Sequence, residues 1–384
     1  MRNWLLPENF EDILPPQAQR IDRMRAQLLE LFRVHGYQLV IPPMLEYLES
    51  LLTGTGHDLD LRTFKLVDQI SGRMMGVRAD ITPQVARIDA HLLNRKGVTR
   101  LCYAGSVLLT RARGLDSTRE PLQIGAEIYG HPGIESDLEI QQLLADSLAA
   151  CGISGARLDI GHVAVFRAIC RHGGVGAELE SELYEALGRK DLPALRMVTK
   201  TLPKATRKAL LALPELYGDG TVLERARRAL PRYPEIEAAL RNLKVLTRGG
   251  TIPVSFDLAD LRGYHYHSGV VFAAYAPGVA NAVALGGRYD EVGKAFGRAR
   301  PATGFSMDLR DLARTAPHEA GAAALRAPYS SDPGLATAIR KLRAAGEIVV
   351  VGLPGHASER AQPECDRELV KRTGKWTVRK LGKS

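Results

Sequence analysis

Tyr264-His-Tyr-His267 places two imidazoles at alternate positions, a spacing that on a strand turns both to one face, where they could ligate a metal ion. No cysteine or carboxylate is spaced to complete such a shell, and no metal site is expected. Glu127 interrupts the apolar strand pattern Leu122-Gln-Ile-Gly-Ala-Glu-Ile-Tyr129. A carboxylate there is either half of a satisfied core ion pair or a functional acceptor. Thr82 stands before Pro83 and a helical pattern, so its hydroxyl is either a helix cap or a ligand contact. Gly286-Gly-Arg-Tyr-Asp290 has neither P-loop nor dinucleotide spacing; its glycines suit backbone packed closely beneath a pocket. The four cysteines (Cys102, Cys151, Cys170, Cys365) form no Cys-x-x-Cys pair, which argues against a zinc or disulfide framework and fits a reducing cytoplasm.

These residues need elements to hold them. Ile21, Met24, Leu28, Leu31 and Phe32 recur at helical spacing from Gln17 to His35, and Gly36 supplies the stop. Strand patterns follow at Tyr37–Ile41, Thr63–Val67, Met74–Val77, Arg100–Tyr103 and Leu122–Tyr129, with a helix predicted over 83–94. A long helix over 136–150 leads to a strand at Ala156–Ile160. The texture then turns helical, at 178–187, 205–213, 222–230 and 236–243, before strands return at Pro253–Phe256, Gly269–Phe272 and Ala282–Leu285. A mainly antiparallel sheet interrupted by a helical insertion is the simplest α+β account. The expected division is a core from 1–162 and 245–316, an insertion at 163–244, and a small extension at 317–384. In that extension one helix (334–345) and one strand (348–353) precede a basic tail.

The chain has 384 residues, 45% apolar and 25% charged, the composition of an ordinary globular protein of two or three domains. No apolar run approaches the ~18 residues of a membrane span, and Met1–Glu8 turns polar too early for a signal peptide. The net charge of +9 raises a nucleic-acid reading. Against it, the basic residues are scattered over helix faces, as in Arg225-Ala-Arg-Arg228, with no long block interleaved with aromatics.

Gly36-Tyr-Gln-Leu-Val-Ile-Pro-Pro-Met-Leu-Glu46 resembles motif 1 of the class II aminoacyl-tRNA synthetases, the element of their dimer interface. Arg78-Ala-Asp-Ile-Thr-Pro83 resembles their amino-acid-binding Arg-Pro-Glu-x-Thr segment. Tyr103–Leu109 with Gln123–Gly130 is similar to the histidyl motif 2, Leu261–Phe272 and Gly286–Asp290 to two histidyl signatures, and Pro301–Asp311 to motif 3. These six ordered matches cover roughly 5 to 315. The resemblance implies a class II synthetase-like antiparallel sheet flanked by helices. It places Asp80 and Thr82 at the α-amino group of a bound histidine, Gln123 and Arg262 at its carboxylate, and Glu127 at its imidazole. Tyr266 and His267 fall beside the ring, with His267 in place of a family tyrosine and Asp80 in place of a glutamate.

Two departures redirect the reading. Leu109 falls where the family's arginine grips the ATP α-phosphate, and Asp311 where another grips the far end of ATP. A guanidinium makes fixed, bidentate contacts that leucine cannot replace, and losing one such donor costs roughly 10² to 10³ in rate. Arg111, Arg113 and Arg310 could replace them only by a shift of register. A retained amino-acid pocket, lost ATP clamps and no full anticodon-binding domain together resemble the regulatory subunits of ATP phosphoribosyltransferase. That resemblance implies no catalytic residue and no cofactor on this chain, and L-histidine as feedback effector. It implies as partner the short-form ATP phosphoribosyltransferase catalytic subunit in a hetero-octamer, with self-association through the motif 1 region. The competing enzyme class is a divergent histidyl-tRNA synthetase or related adenylating ligase, which predicts ATP–pyrophosphate exchange. An RNA-binding module predicts salt-sensitive tRNA affinity.

Overall fold

The computed structural model describes every residue except 1–4, 54–56, 113, 115–116, 249, 318–322, 356–363 and 382–384. The chain separates into two compact units, Met1–Pro317 and His318–Ser384. Among the described residues, no helix is long and apolar enough to cross a membrane.

The larger unit is built on a nine-stranded sheet. Its strands are β1 (Gln38–Leu39), β2 (Thr99–Ser106), β3 (Leu122–Tyr129), β4 (Arg157–His162), β5 (Tyr217–Gly218), β6 (Val254–Asp257), β7 (Val270–Tyr275), β8 (Ala284–Arg288) and β9 (Ala302–Asp308), in the order β1-β2-β3-β9-β8-β7-β4-β6-β5. Pairing is antiparallel from β2 through β4 and between β6 and β5, and parallel for β1/β2 and β4/β6. Alternation along β3 assigns its two faces. Ile124, Ala126 and Ile128 pack with Phe305 and Met307 against helix α1 (Gln17–Val34), through Ile21, Met24, Leu28 and Phe32, and against helix α2 (Ile134–Ala150), through Ile140, Leu143, Leu144 and Leu148. Gln123, Gly125 and Glu127 take the opposite face.

Gly36 ends the first helix as expected. Its φ of +87° is left-handed, the conformation that lets the Tyr37 N–H turn back to the Phe32 carbonyl at 2.9 Å. The predicted helix at 83–94 begins instead at Thr82, with Ile81 at the cap position, and passes from α-helix (Thr82–Arg87) into a π-helical turn (Ile88–Leu93). Beyond β4, helices at Ala177–Gly188, Lys204–Ala212, Thr221–Ala229 and Pro234–Leu246 match the sequence pattern. Two more, Val163–His172 and Leu192–Val198, add to them within the helical stretch expected at 163–244; at the start of the first, the His162 ring accepts a bond from the Ala164 N–H.

The smaller unit carries its own core of Leu325, Ala327, Leu335, Ile339, Val349 and Leu369. The segment read as a basic tail is a β-hairpin, Cys365–Arg372 against Lys375–Lys380, within a four-stranded sheet. Glu368 accepts from Arg379 Nε at 2.9 Å and from Arg326 at 3.2 Å.

Candidate functional site

The polar face of the sheet is carved by glycines. Register places Gly105 opposite Gln123, Gly125 opposite Tyr103, and Gly304 opposite Glu127, with Gly287 opposite Gly304. A Cβ on Gly304 would sit 1.5 Å from Glu127 Oε2 and 2.6 Å from the Ala126 carbonyl oxygen. One on Gly125 would sit 2.5 Å from both the Tyr103 hydroxyl and the Phe305 carbonyl. One on Gly287, whose φ is +156°, would meet the Val270 carbonyl at 2.4 Å. The Gly286-Gly-Arg-Tyr-Asp290 segment therefore does admit close backbone, and its Arg288 clamps Asp137 of α2 at 2.7 Å.

Into this space Glu127 projects, 1% exposed. Its Oε1 accepts from the Tyr103 hydroxyl at 3.0 Å and the Thr82 hydroxyl at 3.1 Å, and its Oε2 from the Tyr289 hydroxyl. Thr82 and Tyr103 oxygens lie 2.8 Å apart. Burial pushes the Glu127 carboxyl up to about 8, although the hydroxyls of Tyr289, Tyr103 and Thr82 pull the other way. Among the described residues Glu127 makes no ion pair, and the Thr82 hydroxyl bonds Glu127 rather than capping the helix. The helix start is closed by Asp80, whose Oδ1 accepts from the Thr82 N–H at 3.0 Å. Gln123 fixes that carboxylate in turn, donating to Asp80 at 2.8 Å while accepting from the Ile81 N–H at 2.9 Å. Asp80, Thr82, Gln123 and Glu127 thus form one connected group.

The aromatic wall comes from a turn. Residues 261–267 do not form a strand, because Gly263 takes φ +65° and the His267 N–H bonds back to its carbonyl at 2.7 Å. The alternation expected to align two imidazoles is absent. His265 is exposed against Tyr184 and Tyr264, whereas His267 Nδ1 donates to the Arg288 carbonyl at 3.2 Å. Burial lowers His267 to about 4, so its ring is neutral. Tyr266 lies 5.0 Å from Tyr289 and 5.3 Å from His267, ring to ring. Its buried hydroxyl has no hydrogen-bond partner, an arrangement that costs about 1–3 kcal/mol until something fills it. Arg262 is turned elsewhere: its guanidinium is held by Asp260 and by the Tyr275 hydroxyl at 2.8 Å.

Tyr103 and Tyr289 bond Glu127 but were not among the candidate site residues that sequence reasoning named. Both stand inside segments it singled out, and the register of β2 with β3 is the signal that sets Tyr103 diagonal to Glu127.

The two positions where the resemblance places ATP clamps have a different character. Leu109 is fully enclosed, its N–H bonded to the Arg119 carbonyl at 2.8 Å. Asp311 pairs with Arg314 on the helix Leu309–Thr315. Of the three arginines that could compensate, Arg111 is exposed, Arg113 lies outside the described residues, and Arg310 is 4% exposed against Glu11 (3.4 Å) and Glu120 (3.6 Å).

Two family models match this chain: one described as histidyl-tRNA synthetase over residues 9–312, the other as ATP phosphoribosyltransferase subunit HisZ C-terminal domain over residues 322–379. The ATP phosphoribosyltransferase regulatory subunit of Ralstonia pickettii (strain 12J) is 61% identical over 98% of both chains. That of Paraburkholderia phymatum is 60% identical over 98% of this chain and 99% of its own. Among solved structures, an ATP phosphoribosyltransferase regulatory subunit/histidyl-tRNA synthetase from Bacillus halodurans superposes with a TM-score of 0.83 at 26% identity, covering 94% of this chain and 95% of its own. Histidyl-tRNA synthetase from Nostoc sp. PCC 7120 gives 0.77 at 17% identity, covering 98% and 97%, a likeness of fold alone. The class II synthetase-like fold expected from the motifs is the one found.

Proposed function

The chain belongs to the family of ATP phosphoribosyltransferase regulatory subunits, and from that premise we propose that its pocket binds L-histidine without activating it, as the feedback input to a separate catalytic subunit. Catalysis of the first step of histidine biosynthesis resides on the short-form partner, which this chain activates by association in the cytoplasm. Glu127 and Tyr266 read the imidazole, Asp80 and Thr82 the ammonium, and Gln123 the carboxylate, with His267 beside the ring. Arg262 joins Gln123 only by leaving Asp260.

One contrast carries this reading: the buried acceptors that would receive histidine are kept, while the position of an ATP clamp is a leucine closed off from solvent. Sealing that position removes the phosphate contact adenylation requires, so aminoacylation is lost. Self-association is supported by an exposed apolar face on and beside a small sheet of Leu45–Tyr47, Phe64–Val67 and Met74–Val77, which leaves Ile41, Met44, Leu45, Val67 and Met74 uncovered.

Feedback requires that histidine bind one state of the assembly better than another. The test is phosphoribosyl transfer by the short catalytic subunit, with and without this chain, across a histidine titration. Stimulation that histidine reverses is the expected result. Absence of both stimulation and complex formation rejects the reading, and histidine-dependent ATP–pyrophosphate exchange would return the chain to the synthetases.

A further inference from the structure

The residues just before the first helix make contacts with Arg119 and Arg310 that the histidine reading does not use. Pro7–Phe10 forms a tight turn, closed by the Phe10 N–H on the Pro7 carbonyl at 3.1 Å, with Asn9 left-handed at φ +61°. The Asn9 carbonyl accepts from the Arg119 N–H at 2.9 Å and the Thr118 hydroxyl at 3.2 Å. Arg119, which faces the sealed Leu109, is held on every side. Its Nε donates to the Leu109 carbonyl at 3.0 Å and its Nη1 to the Glu8 carbonyl at 3.4 Å, while the Phe10 and Phe64 rings lie 4.9 and 5.1 Å from its guanidinium. Arg310, next to Asp311, reaches Glu11 and Glu120, the residues adjoining that turn and Arg119. Both contacts are long, and its buried Nε–H has no partner among the described residues. A buried guanidinium with an unfilled donor and two loose carboxylates is an incompletely satisfied anion site.

We propose that Arg119 and Arg310 form an anion site whose resident occupant is the chain's own N-terminal turn, Pro7–Glu11, and that this turn keeps a polyphosphate out. The turn supplies what a nucleotide would: carbonyl and carboxylate oxygens to the guanidiniums, and the Phe10 ring to a planar partner. The loss of ATP binding then has two layers, the missing arginines and a built-in competitor.

The experiment is direct titration of the full chain with inorganic tripolyphosphate, ATP and adenosine by calorimetry. The proteins are wild type, Phe10→Ala/Glu11→Gln, and a chain lacking residues 1–11, each first checked by thermal melting. Neither histidine nor the catalytic subunit is needed, so the outcome is independent of the feedback reading. Wild type is expected to bind none of them measurably, and both variants to bind tripolyphosphate and ATP about tenfold or more tighter than wild type. Adenosine should remain unbound. If the folded double variant binds tripolyphosphate as weakly as wild type, or if wild type already binds it as tightly as the variants, the turn is not the occupant that excludes phosphate. Binding of adenosine alone would reject a phosphate site outright.

Discussion

The surroundings of Glu127, on β3, and of Leu109, beyond the end of β2, have been treated in opposite ways. Around Glu127 the chain maintains a buried carboxylate, three hydroxyls aimed at it and a fourth without a partner. Around Leu109 it has an enclosed aliphatic side chain, and the guanidiniums of Arg119 and Arg310 are tied to its own backbone and carboxylates. Burying polar groups is unfavourable unless they are paired, and a core freed from function drifts towards apolar packing. The Leu109 end has gone that way. The surroundings of Glu127 have not, and that difference is what supports the histidine site proposed there.

The contrast can be attacked at its strongest point first. Leu109→Arg should not rebuild a phosphate clamp. It places an unpaired charge in an enclosed site and is expected to destabilise the fold by about 4 kcal/mol, with no gain in ATP–pyrophosphate exchange. A stable variant with restored exchange would mean the ATP end is merely disarmed. Glu127→Ala leaves the Thr82, Tyr103 and Tyr289 hydroxyls facing a void, at a cost of about 3 kcal/mol in urea unfolding together with lost histidine binding. If stability falls but histidine still binds, the carboxylate is structural and the comparison fails.

A pH series is finer. Glu127 titrates at an ordinary 4.5 when unfolded and at about 8 when folded. Between those values the folded chain holds a proton that the unfolded chain has released, so this group's contribution to stability falls by about 1.4 kcal/mol per pH unit as pH rises. Glu127→Gln should remove that slope selectively, which unfolding curves at pH 5 to 8.5 would reveal. The smallest effect on stability is the most discriminating. Tyr266→Phe deletes an unpartnered hydroxyl, so unfolding should change by less than about 1 kcal/mol, while calorimetry should show histidine affinity weakened about tenfold. Unchanged affinity would remove Tyr266 from the site.

Much of this was legible before any coordinates. The alternation Ile124, Ala126, Ile128 against Gln123, Gly125, Glu127 marks a strand with one face to the core and one to something polar, and the sheet follows from several such runs. What stayed hidden depends on partners far along the chain. Tyr289 meets Glu127 across 162 positions, and nothing local to Gly286-Gly-Arg-Tyr-Asp290 reveals where that hydroxyl ends. Thr82 was ambiguous because a helix-start threonine has the same sequence whether it caps or binds; only the neighbouring Asp80, taking over the cap, decides it. The C-terminal hairpin was misread for another reason. Its lysines and arginines look like a solvated tail until Glu368 is seen to pair across the sheet. The two-residue turn at Thr373 and Gly374, with φ of 44° and 80°, was its one local signal.

The glycines under Glu127 have a consequence for how this protein can change. Tyr103, His267 and Glu127 can lie so close to the sheet because atoms are missing from Gly125, Gly287 and Gly304, and any substitution there adds matter. Variation at the floor can therefore run in one direction only: it can narrow the site or abolish it, never enlarge it. A lineage that came to recognise a bulkier amino acid would have to make room from the walls, at Tyr266 or His267. His267 is already one position at which the resemblance to the synthetases breaks down.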